Sequence, residues 1–213
     1  MRELSHPISS GMQVYPGDPT VHIEPALLLA RDGVDVASLR LGSHTGTHLD
    51  APSHTIAGGR TTGTIGLSEL VADAFVVHLG PLQPRSTYGL AEIEAALDGE
   101  LPEKIPPIVV FDTGWAEKFG SEAALEHPAL SVDAAVELVR RGMHVLAVDT
   151  LSPDPTGDGA SGFPVHQVVL GADALIVENI CNVDALDTYV RVGFFPLPID
   201  ADGAPVRAVA FVS

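Results

Sequence analysis

Three histidines and an aspartate fall within the eleven residues His44 to His54 of the run LGSHTGTHLDAPSHT. His44, His48, Asp50 and His54 all occupy even positions. Side chains alternate across an extended chain, so these four would project to one side. Imidazoles and a carboxylate converging on one face form a donor set for a transition-metal ion. The spacing of His44 and His48 also fits a zinc-binding helix. But Thr45, Gly46 and Thr47 lie between them and Pro52 follows. These are poor helix residues, so a strand and then a bend is expected. A fully extended chain would hold the Cα atoms of His44 and His48 about 13 Å apart. Gly46 is therefore expected to kink the chain and draw the rings together. His6, His22, His78, His127 and His144 stand alone and read as structural.

The segments around this motif suggest how it is positioned. Val21 to Leu29 and Asp35 to His44 alternate as strands do, and the second would deliver the motif. Val-, Ile- and Phe-rich runs bounded by Gly, Pro or Asp predict further strands at Ala74–Leu79, Pro107–Asp112, His144–Asp149, Ala174–Glu178, Val190–Pro198 and Pro205–Val212. Helices are expected over Thr87–Leu97 and Ser131–Gly142, the latter with a serine cap and a closing Arg-Arg-Gly. That helix runs straight into HVLAVD, an order that suggests a mixed sheet with covering helices. His166 opens a short amphipathic helix. Glu178 ends the apolar run Ala174 to Val177, where a carboxylate is costly to bury unless a charge compensates it. Asp112 to Pro128 has no clear period; it carries Trp115, read as packing, and Phe119.

Composition narrows the class. A chain of 213 residues suits one domain, residues 1–213, with a substantial core. A formal net charge of −17 argues against nucleic acid or an anionic membrane as partner. The lone Cys181 cannot form an intrachain disulfide and has no adjacent base, so an inert buried thiol is expected. MRELSHPISSG lacks an apolar signal core, which gives a cytoplasmic expectation.

His44-x-Gly46-Thr47-His48-x-Asp50-x-Pro52-x-His54 resembles the signature of the cyclase-like metal-dependent hydrolases, whose best-known members are bacterial kynurenine formamidases. VYPGDP (Val14 to Pro19) resembles that family's N-terminal substrate loop. VDTLSPDPT (Val148 to Thr156) resembles its Asp-Thr-x-Ser-x-Asp segment, FPVHQVVLGADALIVENI (Phe163 to Ile180) its second metal segment, and APVRAVAF (Ala204 to Phe211) its closing strand. The resemblance implies an α/β protein with a swivelling β/β/α fold, a mixed barrel-like sheet and covering helices, assembled as a homodimer or homotetramer. It implies that His44, His48 and Asp50 bind one metal, that Asp50 bridges to a second, and that His166 and Glu178 complete a two-metal site. His54 would be the general acid/base. Where kynurenine formamidases usually carry a tryptophan, this chain has Tyr15, which would contact substrate and alter its choice.

The implied activity is hydrolysis of an amide or formamide C–N bond in a small aryl substrate. An imidazole titrates near neutral pH, which suits His54 to proton transfer. Asp149 and Asp154 either orient ligands or serve turn chemistry around Pro153 and Pro155. Two divalent ions are expected, zinc before manganese, although mixed His and carboxylate ligands accept either. The alternatives are a cyclic amide or lactone hydrolase of the isatin-opening kind, a cyclase of secondary metabolism, or a non-catalytic metal-binding structural protein. An uncoordinated His54 argues against the last, because a structural site closes its coordination sphere.

Overall fold

The apolar runs close into a barrel. The computed structural model describes residues 1–157 and 162–212. In chain order the strands are β1 (Arg2–Glu3), β2 (His22–Leu27), β3 (Val36–Arg40), β4 (His48–Asp50), β5 (Val71–His78), β6 (Thr87–Tyr88), β7 (Ile108–Asp112), β8 (Ala129–Leu130), β9 (Val145–Val148), β10 (Leu175–Glu178), β11 (Tyr189–Pro196) and β12 (Gly203–Phe211). The helices are α1 (Leu29–Asp32), α2 (Leu67–Leu70), α3 (Leu90–Leu97), α4 (Val132–Arg140) and α5 (Pro164–Gly171). Seven strands follow the order β12-β11-β5-β7-β9-β10-β4, and β4 pairs back onto β12 to complete the ring. The run β5-β7-β9-β10 is parallel and the other seams are antiparallel. This is the swivelling β/β/α fold with a mixed barrel.

Strand alternation sorts the core into two parts. Leu49, Val76, Val110, Ala147, Val177, Phe194 and Ala208 belong to one cluster fed by all seven staves, which fills the barrel. Their neighbours Phe75, Val109, Leu146 and Ile176 face outward and pack under α3, α4 and α5 through Ile93, Leu138 and Val169. The Ser131 hydroxyl caps α4 by accepting from the Ala134 N–H, a contact worth about 1 kcal/mol.

One sequence expectation is corrected. Asp35 to His44 does not deliver the motif as a strand. β3 stops at Arg40 and pairs only with β2, in an arm whose strand residues are all exposed. The motif instead enters the barrel on β4, after a turn at Gly46.

Candidate functional site

The site lies on the outer face of the barrel, at the seam between β4 and β10. Register sets Glu178 directly opposite His48, and Asp50 opposite Ile176. His48 and Asp50 are two residues apart and share a face, while Leu49 between them points into the barrel. Even spacing alone does not gather the other two histidines. Gly46 takes a left-handed φ of +62°, which turns the chain ahead of β4 and brings the His44 ring within 5.0 Å of His48. After β4, the one-turn 3₁₀ helix Pro52–His54 swings His54 back, its ring 4.0 Å from that of His44. His166 arrives from the first turn of α5.

Four of these side chains form a buried cluster. Asp50 has no exposure and Glu178 only 5%. His48 Nε2 lies 3.3 Å from Asp50 Oδ1 and 3.2 Å from Glu178 Oε2. His166 Nε2 lies 3.5 Å from Asp50 Oδ2 and 3.3 Å from Glu178 Oε1. Yet His48 Nε2, Asp50 Oδ2 and Glu178 Oε1 find no hydrogen-bond partner among the described residues. Buried polar atoms left this way cost about 1–3 kcal/mol each, more when charged. An ion held among them would remove that cost, so the donor set fits a divalent cation. Burial favours the neutral forms, but the attraction between histidines and carboxylates outweighs it. His48 and His166 are pushed well above the ordinary histidine range, and Asp50 is held well below the carboxylate range.

The two buried histidines are held from behind. His48 Nδ1 donates to Gly46 O at 2.9 Å, leaving Nε2 for the cluster. Asp154 Oδ2 takes both the His166 backbone N–H at 3.0 Å and its Nδ1 at 2.7 Å, while Oδ1 takes the Val165 N–H at 2.8 Å. That settles the two aspartates differently. Asp154 orients His166. Asp149 accepts from Thr113 and from the Trp115 N–H and so secures the turn after β7; burial pushes its carboxyl up to about 6.

A second, half-exposed group lies outside the cluster. His44 Nδ1 meets Asp50 Oδ1 at 2.7 Å, and its Nε2 meets Asp202 Oδ2 at 2.9 Å. His54 Nδ1 meets the same Asp202 oxygen at 3.2 Å. Sequence reasoning missed Asp202. Its only sequence signal was an acidic residue just before the closing strand, which reads as turn chemistry.

A cavity of about 440 Å³ opens onto both groups. Its walls include Tyr15, His44, His48, His54, Phe163 and Glu178. Tyr15 lines this cavity, with its ring 6.2 Å from that of Phe163. Burial raises the Tyr15 pKa, so the phenol stays protonated. Trp115 is buried and donates from Nε1 to Ala123 O, as a packing residue does. Phe119 stacks on His6 at 4.1 Å, and neither Trp115 nor Phe119 lines this cavity. Cys181 is buried, and that burial pushes its thiol up to about 11.

The Cyclase family, described as "Putative cyclase", matches residues 2–155. The chain belongs to the Cyclase family. It is 27% identical to a kynurenine formamidase of Polaromonas naphthalenivorans (strain CJ2) over 212 residues, covering 97% of this chain and 88% of that protein. An isatin hydrolase bound to the product analogue thioisatinate superposes with a TM-score of 0.84 at 23% identity, covering 99% of this chain and 91% of that one. A predicted metal-dependent hydrolase from Bacillus stearothermophilus gives 0.77 at 26% identity, covering 98% and 96%. Members of this family share the barrel described above. No helix among the described residues is long and apolar enough to cross a membrane.

Proposed function

We propose that this Cyclase-family protein is a metal-dependent amidohydrolase that cleaves the C–N bond of a small aryl amide or formamide. One observation carries the reading: buried, unsatisfied atoms of His48, Asp50 and Glu178 converge beside a cavity of small-molecule size. A purely structural site would not open onto such a pocket. The family and the kynurenine formamidase relative support the reaction class.

His44, His48, Asp50, His166 and Glu178 would hold the metal, with Asp50 facing both halves of the set. A divalent cation in such a site acidifies water and polarises a carbonyl, which is the chemistry amide hydrolysis needs. Tyr15 and Phe163 present aromatic faces to an aryl group. His54, on the pocket wall, moves a proton to the departing amine. Asp154 keeps His166 fixed during turnover. Zinc is preferred to manganese, and two ions are assigned to each subunit.

The protein would act as a homodimer or homotetramer. The arm β2/β3 supports this, because a lone two-stranded hairpin is marginal in water, and this one exposes Ile23, Leu27, Val36 and Leu39. Sedimentation equilibrium tests it; a monomer throughout would reject it.

Turnover of a panel, N-formylkynurenine, other aryl formamides, isatin and simple lactones, by zinc-loaded and chelator-treated protein tests the reaction. Zinc-dependent formamide hydrolysis is expected. Equal rates after metal removal would refute it, and preference for isatin or a lactone would move the assignment to ring opening.

A further inference from the structure

Asp202 lies in the bend that precedes β12, on a firmly held stretch of backbone. Its carbonyl accepts from the Ala51 N–H at 2.9 Å, and the Ala201 carbonyl accepts from the Thr62 N–H at 2.9 Å. The Thr62 hydroxyl also reaches Ile199 O. The next residue must be small. A Cβ on Gly203 would lie 2.6 Å from His44 Cε1 and 3.0 Å from Leu49 O. The backbone therefore delivers the Asp202 carboxylate directly against the imidazoles of His44 and His54.

A single oxygen, Oδ2, faces both His44 Nε2 and His54 Nδ1. An ionised carboxylate only accepts, so each of those nitrogens must carry a hydrogen. A neutral imidazole has one N–H. Without an ion, His44 Nδ1 faces Asp50 Oδ1 at 2.7 Å and by the same argument also carries a hydrogen. A cation held at Asp50 would take that hydrogen's place, and the Nε2–H donated to Asp202 would leave Nδ1 as the nitrogen offered to it. Donating from Nδ1 leaves His54 with a bare Nε2. One residue would thus prepare two histidines for opposite tasks.

We propose that Asp202 is a positioning residue that fixes both tautomers, presenting Nδ1 of His44 to the metal and Nε2 of His54 to the substrate. The second half of this rests on the hydrolase reading; the first does not. The competing view is that Asp202 is a loop carboxylate, 43% exposed, whose contacts have no consequence. The magnitudes separate the two views. Removing a carboxylate that orients a ligating histidine typically costs about 10–100-fold in metal affinity or activity, whereas an exposed ion pair is worth little.

The test uses the full chain with ¹⁵N-labelled histidine. In metal-free wild type, long-range ¹H–¹⁵N spectra at pH 8.5 should show His54 protonated at Nδ1. Asp202→Asn should mix its tautomers, weaken Zn²⁺ in a chelator competition by about 10–100-fold, and lower kcat at saturating zinc while leaving KM near the wild-type value. Asp202→Glu should recover part of each. A wild-type His54 protonated at Nε2 overturns the proposal, and so does an Asp202→Asn protein that matches wild type in zinc affinity. Complete loss of zinc in Asp202→Asn would make Asp202 a ligand and reject the positioning role. If no amide is turned over by wild type, the hydrolase reading falls, while the spectra and zinc competition still decide this inference.

Discussion

Asp50 and Asp202 both bind His44, one at each ring nitrogen, yet they belong to regions with opposite character. The inner region, His48, Asp50, His166 and Glu178, is buried and has polar atoms without partners. The outer region, His44, His54 and Asp202, is partly open to solvent, and one Asp202 oxygen faces both of its imidazoles. Buried charge without a matching bond calls for an ion, whereas the partly exposed His54, held at Nδ1, lines the cavity. On the proposed function, the inner region would hold the metal and the outer region would transfer the proton, with His44 on the boundary.

The largest effect should come from breaking the inner region. Asp50→Asn should remove metal and turnover together, with bound zinc by elemental analysis falling to a small fraction of wild type. Glu178→Gln should behave alike, because both carboxylates face the same histidines. Wild type should lose thermal stability on chelation, since a ligand at about 1,000 times its Kd adds about 4 kcal/mol to the folded state. Normal zinc content in Asp50→Asn would erase the distinction between the regions.

Breaking the outer region at His54 should cost rate and spare metal. His54→Ala is expected to keep near-normal zinc and melting temperature while losing about 10²–10⁴ in rate, the usual loss for a general acid/base. Metal loss equal to that of His48→Ala would make His54 a ligand and shift the boundary outward.

Substrate choice is a finer matter. Tyr15→Trp should raise kcat/KM for N-formylkynurenine severalfold, because the larger ring extends the aromatic wall beside Phe163. A steady or lower value would show that another residue sets the preference.

The smallest effect lies away from the cavity and provides a control. Glu69 is bound by Arg60 at 2.7 and 3.0 Å and by His144 at 2.7 Å, and the Arg60 contact chiefly lowers its pKa from 4.5 to about 2. A depressed carboxylate contributes stability above its unfolded pKa and loses it as pH falls through the folded one. Glu69→Gln should therefore be destabilised at pH 7 and converge on wild type as pH falls from 4.5 toward 2. The group is partly exposed, so about 1 kcal/mol or less is expected by denaturant titration. Zinc content should be unchanged.

How far the sequence revealed this depended on range. Gly46 was legible as a kink because glycine between two bulky neighbours has a local reason. The barrel strands were legible because buried runs of Val and Ile leave a short-range pattern. The arm was misjudged for the same reason: Asp35 to His44 alternates well, but alternation does not say which sheet a strand joins. His166 and Glu178 were placed by family resemblance; their meeting with His48 needed the β4–β10 register. Asp202 was invisible because its partners lie 148 and 158 residues away, and nothing local distinguishes it from a turn aspartate.

Three-residue β4 is also the stave that closes the barrel, pairing with β10 on one side and β12 on the other. Insertions should therefore be tolerated very unevenly along this stretch. An added residue between Ala57 and Gly58, both exposed, would lengthen an outer loop. An added residue between His48 and Asp50 would shift the pairing by one and exchange the faces. Either Asp50 or His48 would then point into the apolar barrel, and Leu49 would stand among the histidines. The length of this stave should thus be more rigidly preserved across relatives than the identity of any single residue that packs around it.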